Sequence, residues 1–178
     1  MLSATGSYRG WAFDNASGTW TFEPVDGTDY PGVYYAYQSN IVIGGSNRQG
    51  PPSTLTAIAE ANFSPTPAGP ASSCGKTGGD LTWSHTNIAN YLPGLVFLAD
   101  GKVVGTANAD VNRGMIAAGD NIDINTSSST ITGSIVSSNI CAVRGGSTLQ
   151  GVKVAFDSNS EVALFTHIRT TGWIEMTG

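Results

Sequence analysis

A degenerate repeat of about twenty residues limits this chain more than any other feature. Tyr37-Gln38-Ser39-Asn40-Ile41-Val42-Ile43, Ala99-Asp100-Gly101-Lys102-Val103-Val104, Ala118-Gly119-Asp120-Asn121-Ile122-Asp123-Ile124 and Val136-Ser137-Ser138-Asn139-Ile140-Cys141-Ala142 share one order. A small or apolar residue is followed by two turn formers, then Asn or Lys, then an alternating apolar strand. Ala59-Glu60-Ala61-Asn62-Phe63 is a weaker fifth copy, cut short by Pro65. The aligned positions are 40, 62, 102, 121 and 139, so neighbours lie 18 to 22 residues apart, with one double-length gap between 62 and 102. Short strands and tight turns recurring at this period predict stacked coils. Asn at the aligned turns fits such stacking, because it tolerates left-handed backbone and its amide can bond from coil to coil.

The rest of the chain reads as all-β. Tyr8, Trp11 and Phe13 alternate, Asn15-Ala16-Ser17-Gly18 forms a turn, and Thr19-Trp20-Thr21-Phe22 follows. Period-two apolar runs recur at 33–35, 55–58, 95–98, 115–117, 131–136 and 152–156. The best helical segment, 87–91, is one turn at most. The expected fold is a single-domain parallel β-helix, with a β-sandwich as the alternative that regular turn spacing also suits. Residues 1–30 are expected to form N-terminal strands or a cap, 31–145 the coils, and 146–178 C-terminal strands or a cap. Pro65, Pro67, Gly69, Pro70, Gly75, Gly78 and Gly79 mark about 65–90 as a long loop insertion carrying Trp83 and His85.

Composition narrows the function classes. The chain has 178 residues, enough for one domain with a continuous core. Charged residues are only 12%, with a net charge of −5 and eight Lys and Arg that never cluster. That distribution argues against nucleic acid as a partner. No apolar run reaches the roughly 20 residues that span a bilayer. The first residues lack the basic start and apolar segment of a signal peptide. If the protein is exported, the segment directing it is expected to lie outside this sequence. Cys74 and Cys141 are an even pair in a chain of extracellular character, which makes a disulfide tying the insertion to the coils a candidate beside two separate thiols. An extracytoplasmic location is the matching expectation.

The chain carries no Gly-x-Ser-x-Gly elbow, phosphate-binding Gly-rich loop or His-Glu-x-x-His. Aligning the coils brings Asp100 and Asp120 near one edge, one position out of step, with Asp123 on the following strand. Grouped carboxylates are the minimum for acid/base work on a sugar, although turn aspartates bonded to their own backbone give the same pattern. With Trp83 and His85 from the loop, these three form the candidate ligand-binding set. Asn108-Ala109-Asp110-Val111-Asn112 places Asn108, Asp110 and Asn112 at alternate positions, as at the start of a calcium loop. Arg113 stands where the sharp-turn Gly belongs and no Glu closes the site, so calcium is retained only as a structural ion. Tyr34, Tyr35 and Tyr37 with Trp11 and Trp20 suggest an aromatic platform, but alternation must turn half of them into the core.

Several phrases also carry a family resemblance. Pro31-Gly32-Val33-Tyr34-Tyr35, Asn40-Ile41-Val42-Ile43-Gly44-Gly45-Ser46 and Leu55-Thr56-Ala57-Ile58-Ala59-Glu60-Ala61-Asn62 belong to it, as do residues 91–101, 113–124 and 130–136. Together they resemble the body of PilX-type pilus-assembly proteins, a run of parallel β-coils behind an N-terminal anchoring helix; bactofilin-like filament proteins stack similar coils. The anchoring helix is absent from this sequence, and the Ile-Ser-Gly-Asn-like turns appear only in degraded form, as Gly44-Gly45-Ser46, Gly105-Thr106-Ala107 and Asn125-Thr126-Ser127. The resemblance implies a non-enzymatic cell-surface structural or adhesion module whose partners are other pilus or surface proteins, or glycans. Two alternatives stand beside it: a carbohydrate-binding or polysaccharide-cleaving solenoid, and a phage or virion surface protein.

Overall fold

The computed structural model describes residues 1–2, 8, 10–22, 31–44, 53–63, 76–84, 87–107, 109–138 and 146–156. Among them there is no helix, and parallel strands stack into a β-solenoid of about four turns. The parallel β-helix expected from the repeat is therefore the fold, and the facing antiparallel layers of a sandwich are not formed.

Each coil crosses three ladders. The first face stacks β3 (Gly32–Ala36), the 55–59 part of β5 (Ser53–Ala59), β10 (Leu95–Ala99), β13 (Met115–Ala118) and β15 (Ile135–Ser137), all parallel. The second face stacks β2 (Thr19–Phe22), β4 (Asn40–Ile43), β8 (Leu81–Trp83), β11 (Val103–Ala107), the start of β14 (Ile122–Thr132) and the start of β16 (Thr148–Ala155). The third face runs from the start of β5 through β9 (Ile88–Ala89) and β12 (Val111–Arg113) to the ends of β14 and β16. β14 turns from the second face to the third where Ser127 and Ser128 are both exposed and alternation breaks. β16 takes the same corner with one residue, Gly151 at φ 69°, against Thr126.

Parallel register puts equivalent side chains on top of one another, and the core is made of those columns. Trp20, Ile41, Leu81, Val103 and Ile122 form one on the second face, all buried. Phe22, Ile43, Trp83, Gly105 and Ile124 form the next. Ile88, Val111 and Ile131 line the third face. Burying a side chain of this size contributes about 1.5–3 kcal/mol, so the inward columns supply most of the driving force. The N-terminal end is closed by β1 (Trp11–Asp14), antiparallel to β2, and by Leu2, whose N–H donates to Tyr35 O at 2.7 Å. Trp11 packs on Phe22 and Tyr34, each at 4.8 Å between ring centroids, and Phe13 and Tyr8 pack on Trp20 at 4.8 and 5.5 Å. Trp11, Trp20 and Tyr34 are thus core and cap residues, while Tyr35 and Tyr37 face outward.

Two expectations are corrected. Asn62 is not a coil position: it lies in β6 (Ala61–Phe63), which pairs antiparallel with β7 (Lys76–Gly78) as a hairpin leaving the corner between the first and second faces. The coil resumes at Asp80-Leu81, so the aligned series runs 40, 80, 102, 121, and the long gap falls before Asp80. The 65–90 segment is consequently no continuous loop, since β7, β8 and β9 lie within it, and 88–89 is strand rather than helical turn. Residues 148–155 form a strand, as one of the two expectations for 146–178 has it, and continue the second and third ladders. Cys74, Cys141 and the C-terminal 157–178 lie outside the described residues.

The hairpin is pinned by a side-chain relay along the corner. Asn40 Oδ1 accepts the Asp80 N–H at 3.1 Å, and Asp80 Oδ1 accepts the Lys102 N–H at 3.0 Å. The same Asp80 oxygen takes Lys76 Nζ at 2.9 Å, with the lysine side chain only 4% exposed. Gly101 makes room for the pair: a Cβ there would stand 2.0 Å from Asp80 Oδ1 and 2.3 Å from Lys76 Nζ. Removing Asp80 strands a buried ammonium, so Asp80→Ala should lower stability by about 3–5 kcal/mol, whereas Lys76→Met, leaving Asp80 partly solvated and still bonded to Lys102, should stay within about 1 kcal/mol. Urea unfolding of the two variants checks the order.

Trp83 and Gly105 form a second dependent pair. They oppose one another in register, and a Cβ on Gly105 would stand 2.6 Å from the indole Cη2. Gly105→Ala should therefore cost about 1–3 kcal/mol by overpacking. Combined with Trp83→Phe, the loss should fall short of the sum of the two single losses, by about 0.5–3 kcal/mol of coupling. Additive losses in thermal or urea unfolding would contradict this packing.

Candidate functional site

The corner between the first and second faces is built by sequence of a simple kind. Ala36, Ala59, Ala99 and Ala118 stack in register at the ends of the first four first-face strands, all buried. A methyl is enough to fill the interior where the chain bends, and nothing larger intrudes on the coil above. The next residue of each coil turns outward: Tyr37, Glu60, Asp100 and Gly119. Gly119 is held against Asp100, where a Cβ would stand 2.6 Å from the Asp100 carbonyl oxygen.

Polar chemistry gathers on this edge. The Tyr35 hydroxyl donates to the Glu60 carboxylate, and Asp100 Oδ2 accepts the Ala61 N–H at 3.1 Å. The bond to Glu60 is the main reason that the Tyr35 phenol is pushed up to about 12; partial burial and the negative charges of Glu60 and Asp100 add to it. Gln38, at φ 51°, donates through Nε2 to the Tyr37 hydroxyl at 3.0 Å.

The sequence-derived ligand set is dispersed by the fold. Asp100 sits on the outer corner, bonded to the hairpin. Asp120 is buried at 1% exposure in the next turn, its N–H donating to Gly101 O at 3.0 Å and its carbonyl accepting the Ser137 hydroxyl at 2.5 Å. Asp123 points outward from the second face and accepts Asn121 Nδ2 at 2.6 Å. Trp83 is 0% exposed inside β8 and packs on Phe97 at 5.3 Å, which removes it from any loop site. Its indole Nε1 has no hydrogen-bond partner among the described residues. His85 lies outside the described residues. Of the calcium candidates, Asp110 Oδ1 accepts the Thr130 N–H of the next coil at 2.6 Å, Asn108 lies outside the described residues, and only the backbone of Asn112 is described. No group of three or more His, Cys, Asp or Glu able to hold a metal occurs among the described residues.

Sequence reasoning passed over the outer surface of the first face. Tyr35, Ile58, Leu98, Ala117 and Val136 occupy equivalent register positions in five successive strands. Leu98 is 37% and Val136 49% exposed, and the other three are half-buried. Residues 90–94 border this column. Buried Thr56 staples them down: its hydroxyl accepts the Leu92 N–H at 2.9 Å and donates to Leu95 O at 2.6 Å. Leu92 and Tyr91 remain 37% and 49% exposed, as does Val33 at 38%. The matching outward column of the second face is mixed: Thr21, Val42, Thr82, Val104, Asp123 and Thr148. The signal was present in the sequence as the penultimate residue of each strand, but it becomes a surface only once the coils are stacked.

Comparison with family models, with curated proteins and with solved structures gives no match.

The Tyr35–Glu60 bond yields a pH prediction. Tyr35 ionises in the folded protein above its ordinary value of 10.0, so its neutral form is favoured by folding. That contribution is intact below pH 10 and is lost as the pH climbs through about 12. In a tyrosinate absorbance titration of the folded protein, one phenol should ionise late, and the late phase should vanish in Tyr35→Phe.

Proposed function

We propose that this chain is a non-enzymatic structural module of a cell-surface or extracellular assembly, of the pilus-associated kind its repeats resemble, offering a rigid flat face to a partner. The observation that carries the reading is the uncharged column Tyr35, Ile58, Leu98, Ala117 and Val136. Solvent-facing side chains on a β-solenoid are not needed to fill its core, so polar residues would serve there equally well. One apolar residue per coil, kept in register across five strands, fits contact with another surface. A parallel ladder with paired backbone groups gives such a face stiffness, which suits assembly or adhesion more than closure around a small substrate.

The dispersal of Asp100, Asp120 and Asp123 over an outer corner, a buried turn and a second face removes the main support for the polysaccharide-cleaving alternative, which needs two carboxylates flanking one bond. The test is co-sedimentation with the envelope or surface-filament fraction of the source cells. Wild-type protein should sediment with that fraction, Leu98→Glu should lose at least tenfold in bound protein, and Val104→Glu on the second face should bind as wild type. Equal binding by Leu98→Glu, or turnover of an acidic polysaccharide by the purified chain, would overturn the reading.

A further inference from the structure

Three of the twelve asparagines stand two residues before a serine with no proline between: Asn15-Ala16-Ser17, Asn62-Phe63-Ser64 and Asn125-Thr126-Ser127. That is the acceptor pattern for N-linked glycosylation. In a chain with 38 serines and threonines, composition alone gives about this many, so their number decides nothing. Their placement does. Among the asparagines whose side chains are described, these three are exposed and Asn40, Asn87, Asn90 and Asn121 are not. The four inner ones are engaged in the fold. Asn40 accepts the Asp80 N–H, Asn90 donates to Leu92 O at 2.7 Å, and Asn121 donates to Asp123. Asn87 takes a φ of 67°, and its carbonyl accepts the Ser53 N–H at 2.9 Å. Among the described residues, then, no asparagine with such a task carries the pattern, and no exposed one lacks it.

We propose that Asn15 and Asn125 are N-glycosylation sites, an inference that rests on the cell-surface or extracellular location in the reading above. In both triplets the asparagine and the serine are exposed together. Asn15 and Ser17 lie in the turn between β1 and β2, where Asp14 accepts the Ala16 N–H at 3.0 Å and the Ser17 hydroxyl at 2.6 Å. Asn125 and Ser127 are alternate residues of β14, and the buried Thr126 between them leaves both on the outer side. Thr106 and Gln150, which flank Asn125 in register, are exposed as well, so a bulky group on its amide meets no wall. Ser64 lies outside the described residues, and Asn62 is left out of the proposal for that reason. The step is a group transfer from a polyprenyl-diphosphate-linked oligosaccharide. The asparagine Nδ2 bonds to the anomeric carbon of the first sugar, the bond from that carbon to the diphosphate oxygen breaks, and polyprenyl diphosphate leaves. The amide gives up one proton, and nothing is oxidised or reduced. Neither site is on the first face, so the glycans would leave the Tyr35 to Val136 column uncovered. They would also add solvation to a chain in which charged residues are only 12%.

The test is peptide mapping by tandem mass spectrometry of the full chain isolated from each fraction of the source cells. Peptides holding Asn15 and Asn125 should carry a sugar mass increment, and the peptide holding Asn90 should not. Ser17→Ala and Ser127→Ala should each lose the increment at their own asparagine, whereas Ser17→Thr and Ser127→Thr should keep it. Both serines are exposed, so urea unfolding of the four variants should match the wild type and separate lost modification from lost folding. Increments that persist in the alanine variants overturn the proposal, because the modification then does not depend on the serine. Bare Asn15 and Asn125 in chain recovered from the surface or extracellular fraction also overturn it, and leave the structural reading of the protein standing. A chain found only inside the cell, and bare, would sink the location and the glycosylation together.

Discussion

Register between coils is the constraint from which the rest of this structure follows. A parallel ladder fixes each strand to its neighbours by backbone bonds, but those bonds are indifferent to which residue sits where. Side chains choose the register. At the corner between the first and second faces, the buried alanines 36, 59, 99 and 118 stack in register, small side chains filling the bend of each coil. One step further, Asn40 and Asp80 each reach across to the backbone N–H of the next coil. A slip by one residue would turn every inward side chain to solvent. The alanine column and the side-chain relay oppose that slip from the apolar and the polar side of the same bend.

Fixed register allows the repeat to be degenerate, because volume must be conserved down a column rather than residue by residue. Trp83 fits because Gly105 lies above it in the same column. At another corner, Gly114 and Gly133 stack at φ 124° and 142°, where a Cβ on Gly133 would stand 2.1 Å from the Gly114 carbonyl oxygen. The extra residue Val96 is absorbed as a bulge between Leu95 and Phe97 and buried. The hairpin insertion is tolerated for a related reason. Its arms pair Ala61 with Gly78, so the chain returns almost where it left, and Gly79 passes close against Ala61. Neither the coil before it nor the coil after it is displaced.

This explains what could be read in the sequence and what could not. The copies at 40, 102 and 121 were legible because their turn and strand are contiguous in the chain. The copy at 80 was not, because its first-face strand ends at Ala59 and its second-face strand begins at Leu81, with the hairpin between them. Asn62 imitated the turn residue while Asp80 performed its role, a carboxylate oxygen serving as well as an amide oxygen in accepting the Lys102 N–H. The glycines and prolines that precede Trp83 give its stretch of sequence the look of a loop. Only the paired glycine at 105, one coil later, marks it as core. Asp100, Asp120 and Asp123 were near in the alignment, yet a three-sided coil sends positions only a few residues apart to a corner, an interior and a face.

The candidate surface was hidden for a different reason, which also supports its interpretation. In each first-face strand the inward residues answer to volume: Tyr34, Ala57, Phe97 and Ile116 vary widely because each compensates its neighbours. The outward column answers to no such demand, and the second face shows what an unconstrained outward column looks like here, with threonine, valine and aspartate mixed. Solubility in this chain rests on hydroxyls and amides, and charged residues are only 12%, so a hydroxyl at any of these five positions would fit the general composition. None of Ile58, Leu98, Ala117 and Val136 carries one, and the Tyr35 hydroxyl is turned aside to Glu60. Filling the core does not ask for that pattern, and contact with a second apolar surface is the role we propose for it.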